Sequence, residues 1–301
     1  MLKKKKCPFC KSSNIITLFH NFHKKDEKIY FECTSHNFQK KKWKPILLKC
    51  TSCTLVFSEY TNVNFQNNYK DVVDYEYLNQ IKFKKQTFNL FLEKIKKYLN
   101  KTYTILEIGS FYGVLGKLLK PHVKEYTGLE LSKHASAYSK KNFKLNIKNQ
   151  SFVSYAKNSK KFDIIILTDV IEHVDYPFRL LSLIEKKLNK NGKLILSTFN
   201  FDSLFSRITG NNYPWIIPMH KYYFSTATLK NALNKSNLDI INIQNDTRII
   251  SIEYLLNKFS VLFPNFNFIF NFFLKFNFIK RISIKIDLND LKIYIAKKTS
   301  F

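Results

Sequence analysis

Apolar side chains recur at helical spacing between residues 88 and 99. Phe88, Phe91, Leu92, Ile95, Tyr98 and Leu99 fall at i, i+3, i+4 and i+7 with Lys and Glu between them, which predicts an amphipathic helix starting near Leu78. After Lys101 short apolar runs alternate with helical periods. The runs predict strands over 102–108, 125–131, 146–150, 162–168, 193–198, 238–244 and 291–296. Helices are expected over 114–120, 133–142, 178–188 and 227–235. Ser132 and Thr226 stand where N-caps belong, Pro177 suits a first helical position, and Asn191-Gly192 marks a helix end. Alternating units of this kind predict an α/β fold with a doubly wound, mostly parallel seven-stranded sheet.

The N-terminal part reads differently. Cys7-Pro8-Phe9-Cys10 and Cys50-Thr51-Ser52-Cys53 are two knuckles, each able to place two thiolates on one Zn²⁺. Together Cys7, Cys10, Cys50 and Cys53 complete a closed tetrahedral set. The apolar run Thr54-Leu55-Val56-Phe57 suits a ribbon strand. The gap between knuckles exceeds that of a compact ribbon, so inserted loops are expected there. Cys33, His20, His23 and His36 fall in the insertion and are expected to be loop or packing residues, because four sulfurs already close the site. Neither pair opens a helix after a strand, which argues against a thioredoxin-like redox motif. The expected organisation is a small zinc-ribbon module over 1–60, a polar linker and leading helix over 61–100, and an α/β domain over 101–301.

Six glycines serve the whole chain of 301 residues, and Gly109, Gly113 and Gly116 are three of them. Clustered between a strand and a helix, they call for a backbone that approaches a cofactor at the carboxyl end of the sheet. The pattern is not Gly-x-Gly-x-x-Gly, and Glu107 just before it would repel a pyrophosphate. An acid there suits a cofactor with an amino group and a sulfonium.

Ile105-Leu106-Glu107-Ile108-Gly109-Ser110-Phe111-Tyr112-Gly113 resembles the first motif of class I S-adenosylmethionine-dependent methyltransferases. Tyr126-Thr127-Gly128-Leu129-Glu130-Leu131-Ser132 resembles their second-strand motif. Similar matches run through Phe162-Asp163-Ile164-Ile165, Asp169-Val170-Ile171-Glu172-His173-Val174, Leu188 to Ser197, and His220-Lys221-Tyr222-Tyr223-Phe224-Ser225. Within the class, the resemblance is to the group containing ubiquinone-pathway O-methyltransferases and bacterial small-molecule and surface-glycan methyltransferases, some with an N-terminal zinc ribbon.

The resemblance implies a Rossmann-like methyltransferase fold and S-adenosyl-L-methionine as cofactor. It implies cofactor contacts from Glu107, Gly109, Ser110, Gly113, Glu130, Leu131, Gln150 and Asp169, with Glu130 on the ribose hydroxyls. Two departures stand out: Phe111 replaces the middle glycine of the family's Gly-x-Gly, and no acid follows the third strand, leaving Gln150 as the nearest acceptor for the adenine amine.

The chemistry is bounded by what is missing. No cysteine follows Cys53, so the main domain has no thiolate for covalent carbon methylation of a pyrimidine. An Asn/Asp-Pro-Pro-Tyr motif for amino-group methylation is also absent from the end of the fourth strand. The chain instead offers Asp169, Glu172 and His173 within five residues, which share one face if a helical turn starts there, and a later His220. Three readings stay open, the plainest being that Asp169 touches the cofactor while Glu172 and His173 cap and orient the loop. In the others, these four residues hold Mg²⁺ or Zn²⁺, as in some similar ubiquinone-pathway and small-RNA 2′-O-methyltransferases, or His173 or His220 acts as a metal-free base. The metal and base routes both favour a hydroxyl on a small molecule, sugar or lipid-linked acceptor.

The formal net charge is +28, yet only four of 50 basic residues are Arg. A Lys coat with so few guanidinium forks argues against nucleic acid as the partner. The rivals are a zinc-ribbon rRNA methyltransferase and a non-catalytic cofactor-binding scaffold. No signal peptide or run of 18 apolar residues is visible, so a cytoplasmic protein is expected. Residues 251–285 hold nine Phe between Phe259 and Phe278, broken by Pro264 into two short helices. They are expected to form core or a lid over the acceptor, or else an interfacial element with Lys275, Lys280 and Arg281 near anionic headgroups.

Overall fold

The computed structural model describes residues 5–20, 44–59, 61, 69–262, 264–276, 278 and 282–299. Its strands are β1 (Ile15–Phe19), β2 (Leu47–Cys50), β3 (Val56–Ser58), β4 (Thr104–Ile108), β5 (Glu125–Leu129), β6 (Ile147–Lys148), β7 (Phe162–Thr168), β8 (Leu188–Phe199), β9 (Tyr222–Tyr223), β10 (Leu238–Asn245), β11 (Arg248–Ser251), β12 (Ser283–Ile286) and β13 (Leu291–Lys298). Its helices are α1 (Tyr75–Asn79), α2 (Ile81–Ile95), α3 (Val114–Leu119), α4 (Lys133–Phe143), α5 (Phe152–Tyr155), α6 (Pro177–Lys187), α7 (Leu204–Thr209), α8 (Thr226–Asn234), α9 (Ile252–Leu262) and α10 (Asn267–Leu274).

The main sheet has seven strands in the order β10-β13-β8-β7-β4-β5-β6. β8, β7, β4, β5 and β6 run parallel, while β13 is antiparallel to both β8 and β10. Helices cover both faces, so the central strands are apolar throughout. Ile164, Ile165, Ile166 and Leu167 of β7 are all fully buried. On one face, Phe91, Leu92 and Ile95 of α2 pack with Leu115 and Leu119 of α3, which is the stripe expected from the spacing. On the other, Leu181 and Ile184 of α6 pack with Leu229 and Leu233 of α8. Chain order reverses between β4 and β7, and that switch point opens at the carboxyl edge of the sheet.

Three local expectations are corrected. The cap of α8 is Ser225, not Thr226: its hydroxyl accepts from the Thr228 amide in a capping box, one residue earlier than the apolar period implies. α6 ends at Lys187, and Asn189 to Gly192 belong to β8, where they bulge so that Phe162 pairs Leu188 but Ile164 pairs Lys193. Asp169 has a positive φ of 53°, and residues 171–173 form a turn instead of a helix, so Asp169 and Glu172 do not share a helical face.

A second sheet has the order β1-β2-β3-β9 and carries the cysteines. The two knuckles have matching backbones. In each, the amide three residues beyond the first Cys lies before a left-handed residue, Lys11 (φ 64°) or Thr54 (φ 62°), whose N–H donates to the carbonyl of Cys7 or Cys50 (3.0 and 2.9 Å). The fourth strand, β9, comes from the main part of the chain, pairing Tyr223 with Val56 and Tyr222 with Phe57. Phe9 of the first knuckle stacks on Phe178 of α6 at 4.3 Å. Expected residues Cys33, His23 and His36 lie outside the described residues. His20 is exposed.

Candidate functional site

The carboxyl edge gathers most of the expected cofactor residues. Gly109 (φ 77°) and Gly113 (φ 74°) turn the chain from β4 into α3. A Cβ on Gly109 would lie 2.5 Å from Val170 Cγ2, so the β7 loop also requires the glycine there. Phe111 keeps the left-handed backbone (φ 44°) that the family fills with glycine. Its ring packs edge-on against Tyr77 (4.7 Å) and Tyr112 (4.5 Å), which offsets a backbone cost on the order of 1 kcal/mol. The segment before α2 thus folds over the glycine turn. Asp74 caps α1 by accepting the Tyr77 amide, while its own N–H donates to the Tyr112 hydroxyl.

Glu130 is buried at the end of β5. Its Oε2 accepts the Phe111 N–H and its Oε1 the Ser132 N–H, both at 2.7 Å. A carboxylate has about four lone-pair directions, so two remain for hydroxyl donors. Burial lifts its pKa to about 7 against the pull of these amides. The free acceptor positions on Glu130 and the glycines at either end of the turn fit the ribose and methionine portions of adenosylmethionine. Glu107 faces inward, where the Tyr126 hydroxyl donates to Oε2; burial raises its pKa to about 8. Leu131 and Gln150 flank Glu130 half-buried, and Ser110 is buried in the turn. Asn149, which sequence reasoning passed over, donates to the Glu130 and Leu131 carbonyls, each at 2.9 Å.

A second cluster lies past the end of β7. One ligand atom each from Glu172, His173 and His220 lies within 4.8 Å of the others. Glu172 Oε2 accepts the Thr198 hydroxyl (3.0 Å) from β8. His173 Nδ1 donates to the Met219 carbonyl (3.3 Å) and His220 Nδ1 to the Trp215 carbonyl (2.7 Å). A carbonyl can only accept, so each imidazole is the Nδ1–H tautomer with a bare Nε2. Burial drives His173 down to about 4 and His220 well below its ordinary value. Burial, reinforced by Asp169, raises Glu172 to about 8.

Asp169 does not join this cluster. It accepts from Arg248 (2.9 Å), whose same nitrogen reaches Asp246 (2.8 Å). Arg248 is therefore a site residue the motifs did not indicate. The signal available was scarcity: a chain with four arginines keeps one at this edge for the same kind of reason that it keeps its glycines.

The four cysteine sulfurs also converge within 4.8 Å, with Cys7 and Cys53 at 3.5 Å and Cys10 and Cys50 at 3.5 Å. Burial acts to raise the Cys50 thiol, but the amides of Cys53 and Ser52 aim at its sulfur and bring it to about 7. Amides turned toward sulfur fit a cation-bound thiolate set.

A glycine turn after the first strand, an acid closing the second, and a reversed last strand in a seven-stranded sheet define the class I S-adenosylmethionine-dependent methyltransferase domain. The chain belongs to this family: the model of the methyltransferase domain matches residues 81–243, more than half of the chain. The mitochondrial ubiquinone biosynthesis O-methyltransferase of Candida albicans is 30% identical over 151 residues, 46% of this chain and 45% of that protein. The ubiquinone biosynthesis O-methyltransferase of Coxiella burnetii is 27% identical over 129 residues, 39% of this chain and 55% of that protein. The chain thus spans about half the length of the curated relatives it matches. A solved SAM-dependent methyltransferase from Archaeoglobus fulgidus aligns with TM-score 0.49 and 22% identity, covering 75% of this chain and all of that one.

Proposed function

We propose that the protein transfers the methyl group of S-adenosylmethionine to a hydroxyl oxygen of a small molecule, sugar or lipid-linked acceptor. The convergence of Glu172, His173 and His220 beside the cofactor edge carries this reading. The O-methyl specificity of the ubiquinone-pathway relatives supports it.

The cofactor supplies an electrophilic methyl on a positive sulfur. Glu130 holds its ribose end, with Gly109, Ser110 and Gly113 lining the methionine end. The remaining task is to take a proton from the acceptor hydroxyl. Burial makes imidazolium costly at both histidines, which weakens either as a metal-free base. Two neutral imidazoles grouped with a carboxyl are better suited to a divalent cation, which when bound would lower the hydroxyl's pKa. Glu172, His173 and His220 would hold it. Two imidazoles favour a borderline cation such as Zn²⁺ over Mg²⁺. Asp169, engaged by Arg248, is left out of that set. The four cysteines hold a separate structural Zn²⁺, giving residues 1–60 a ribbon module ahead of the catalytic domain.

The test is incubation with methyl-labelled S-adenosylmethionine and cell extract, followed by mass spectrometry of the labelled product. An O-methyl product is expected, and a methyl on nitrogen or carbon overturns the reading. On the identified acceptor, His173→Ala and His220→Ala should each lower turnover by about 10²–10⁴ while S-adenosylhomocysteine binding persists. Elemental analysis should show the two variants losing a metal that is not the cysteine-bound one.

A further inference from the structure

The α9–α10 hairpin carries the Phe-rich insertion. It grows from the paired strands β11 and β12, which leave the carboxyl edge of the sheet immediately after Arg248. α10 contains no buried side chain, so it is not core. Phe268, Phe272 and Phe276 recur every fourth residue and form one stripe, exposed by 71%, 55% and 40%. Phe278, 65% exposed, extends it with its ring 5.9 Å from that of Phe276, and Phe266 just before the helix is also exposed. Scattered exposed aromatics are ordinary, but a continuous stripe marks a surface that meets something apolar.

The charge carried by this stretch of sequence indicates what that is. From Tyr254 to Ile286 the sequence has five cations, Lys258, Lys275, Lys280, Arg281 and Lys285, and no Asp or Glu. We infer that α10 docks on the surface of an anionic lipid bilayer, its Phe stripe in the acyl boundary and Lys275 at the end of the helix among the headgroups. A second copy of this chain is a poor occupant, because it would bring the same five cations against the first set. Spanning is excluded for α10 by length: eight residues reach about 12 Å, against a hydrocarbon core of about 30 Å. Among the described residues no helix is long and apolar enough to cross a membrane. A helix lying in the interface fits both the aromatics and the charge.

The experiment is co-sedimentation of the full chain with vesicles of phosphatidylcholine alone and of phosphatidylcholine with phosphatidylglycerol. Partitioning should be at least about tenfold stronger on the anionic vesicles and fall with added salt. Phe268→Asp with Phe272→Asp should reduce it by about tenfold or more while S-adenosylhomocysteine binding, the measure of folding, is unchanged. No partitioning of the wild type onto anionic vesicles overturns the inference. So does wild-type partitioning by the double variant, which would assign binding to the Lys coat alone. A dimer in light scattering that the double variant dissociates, with no vesicle binding, would assign the stripe to a second copy.

Discussion

Both oxygens of Glu130 accept backbone amides, and burial still lifts its pKa to about 7. Near neutrality the free site therefore holds a proton part of the time. Hydroxyl donors and a nearby sulfonium favour the ionised form, so binding the cofactor releases that proton. Affinity for S-adenosylmethionine should rise as pH climbs from about 6 to 8 and level off above the free-site value. Glu130→Gln should flatten the part of this dependence that Glu130 owns, leaving any part owned by Glu107. Glu130→Ala should weaken binding by about 1.5–3 kcal/mol. Calorimetry across pH checks both, and an unchanged dissociation constant in folded Glu130→Ala would remove Glu130 from the site. At this scale the sequence was most legible where a residue type is rare or a motif is dense, as at Gly109, Gly113 and Glu130. Asn149 escaped because asparagine is common in this chain and its role is to bind backbone carbonyls, which leaves no pattern.

The knuckles were legible as paired cysteines, but their link to the rest of the molecule was not. β9 is two residues long, too short to show a period, and its partner β3 lies far away in sequence. Only Lys221 separates His220 from Tyr222 and Tyr223, and the Lys221 amide donates to the Glu172 carbonyl (2.8 Å) while the Ser58 amide donates to the Lys221 carbonyl (2.8 Å). Buried Lys221 also pairs with Asp175. The ribbon sheet and the histidine segment are thus tied by one continuous backbone ladder. Cys50→Ser with Cys53→Ser should lose the structural metal and also shift the emission of Trp215, whose carbonyl holds His220. Elemental analysis and fluorescence, the latter in a Trp43→Phe background so that Trp215 alone emits, read the two effects separately. Full metal retention would dismiss the ribbon site, and metal loss with unchanged emission would show that the ladder stands without it.

Across the whole molecule, alternation of short apolar runs and helical periods was enough to give the seven strands, because parallel strands buried on both faces have few other sequences open to them. The hairpin at 251–285 was legible as two helices broken at Pro264 but not in its exposure, since composition alone does not say which side of an aromatic helix finds a partner. The register that joins β3 to β9 has a different kind of consequence, one of timing. The ribbon is synthesised first, yet Val56 and Phe57 have no strand beside them on that edge until Tyr222 and Tyr223 are made. At about 5–20 residues per second that interval is roughly ten to thirty seconds, during which an apolar edge stands open on the ribosome. A fragment ending at residue 62 should keep that edge permanently, and self-association in light scattering is the expected result. In the full chain the first-made module is among the last to be completed.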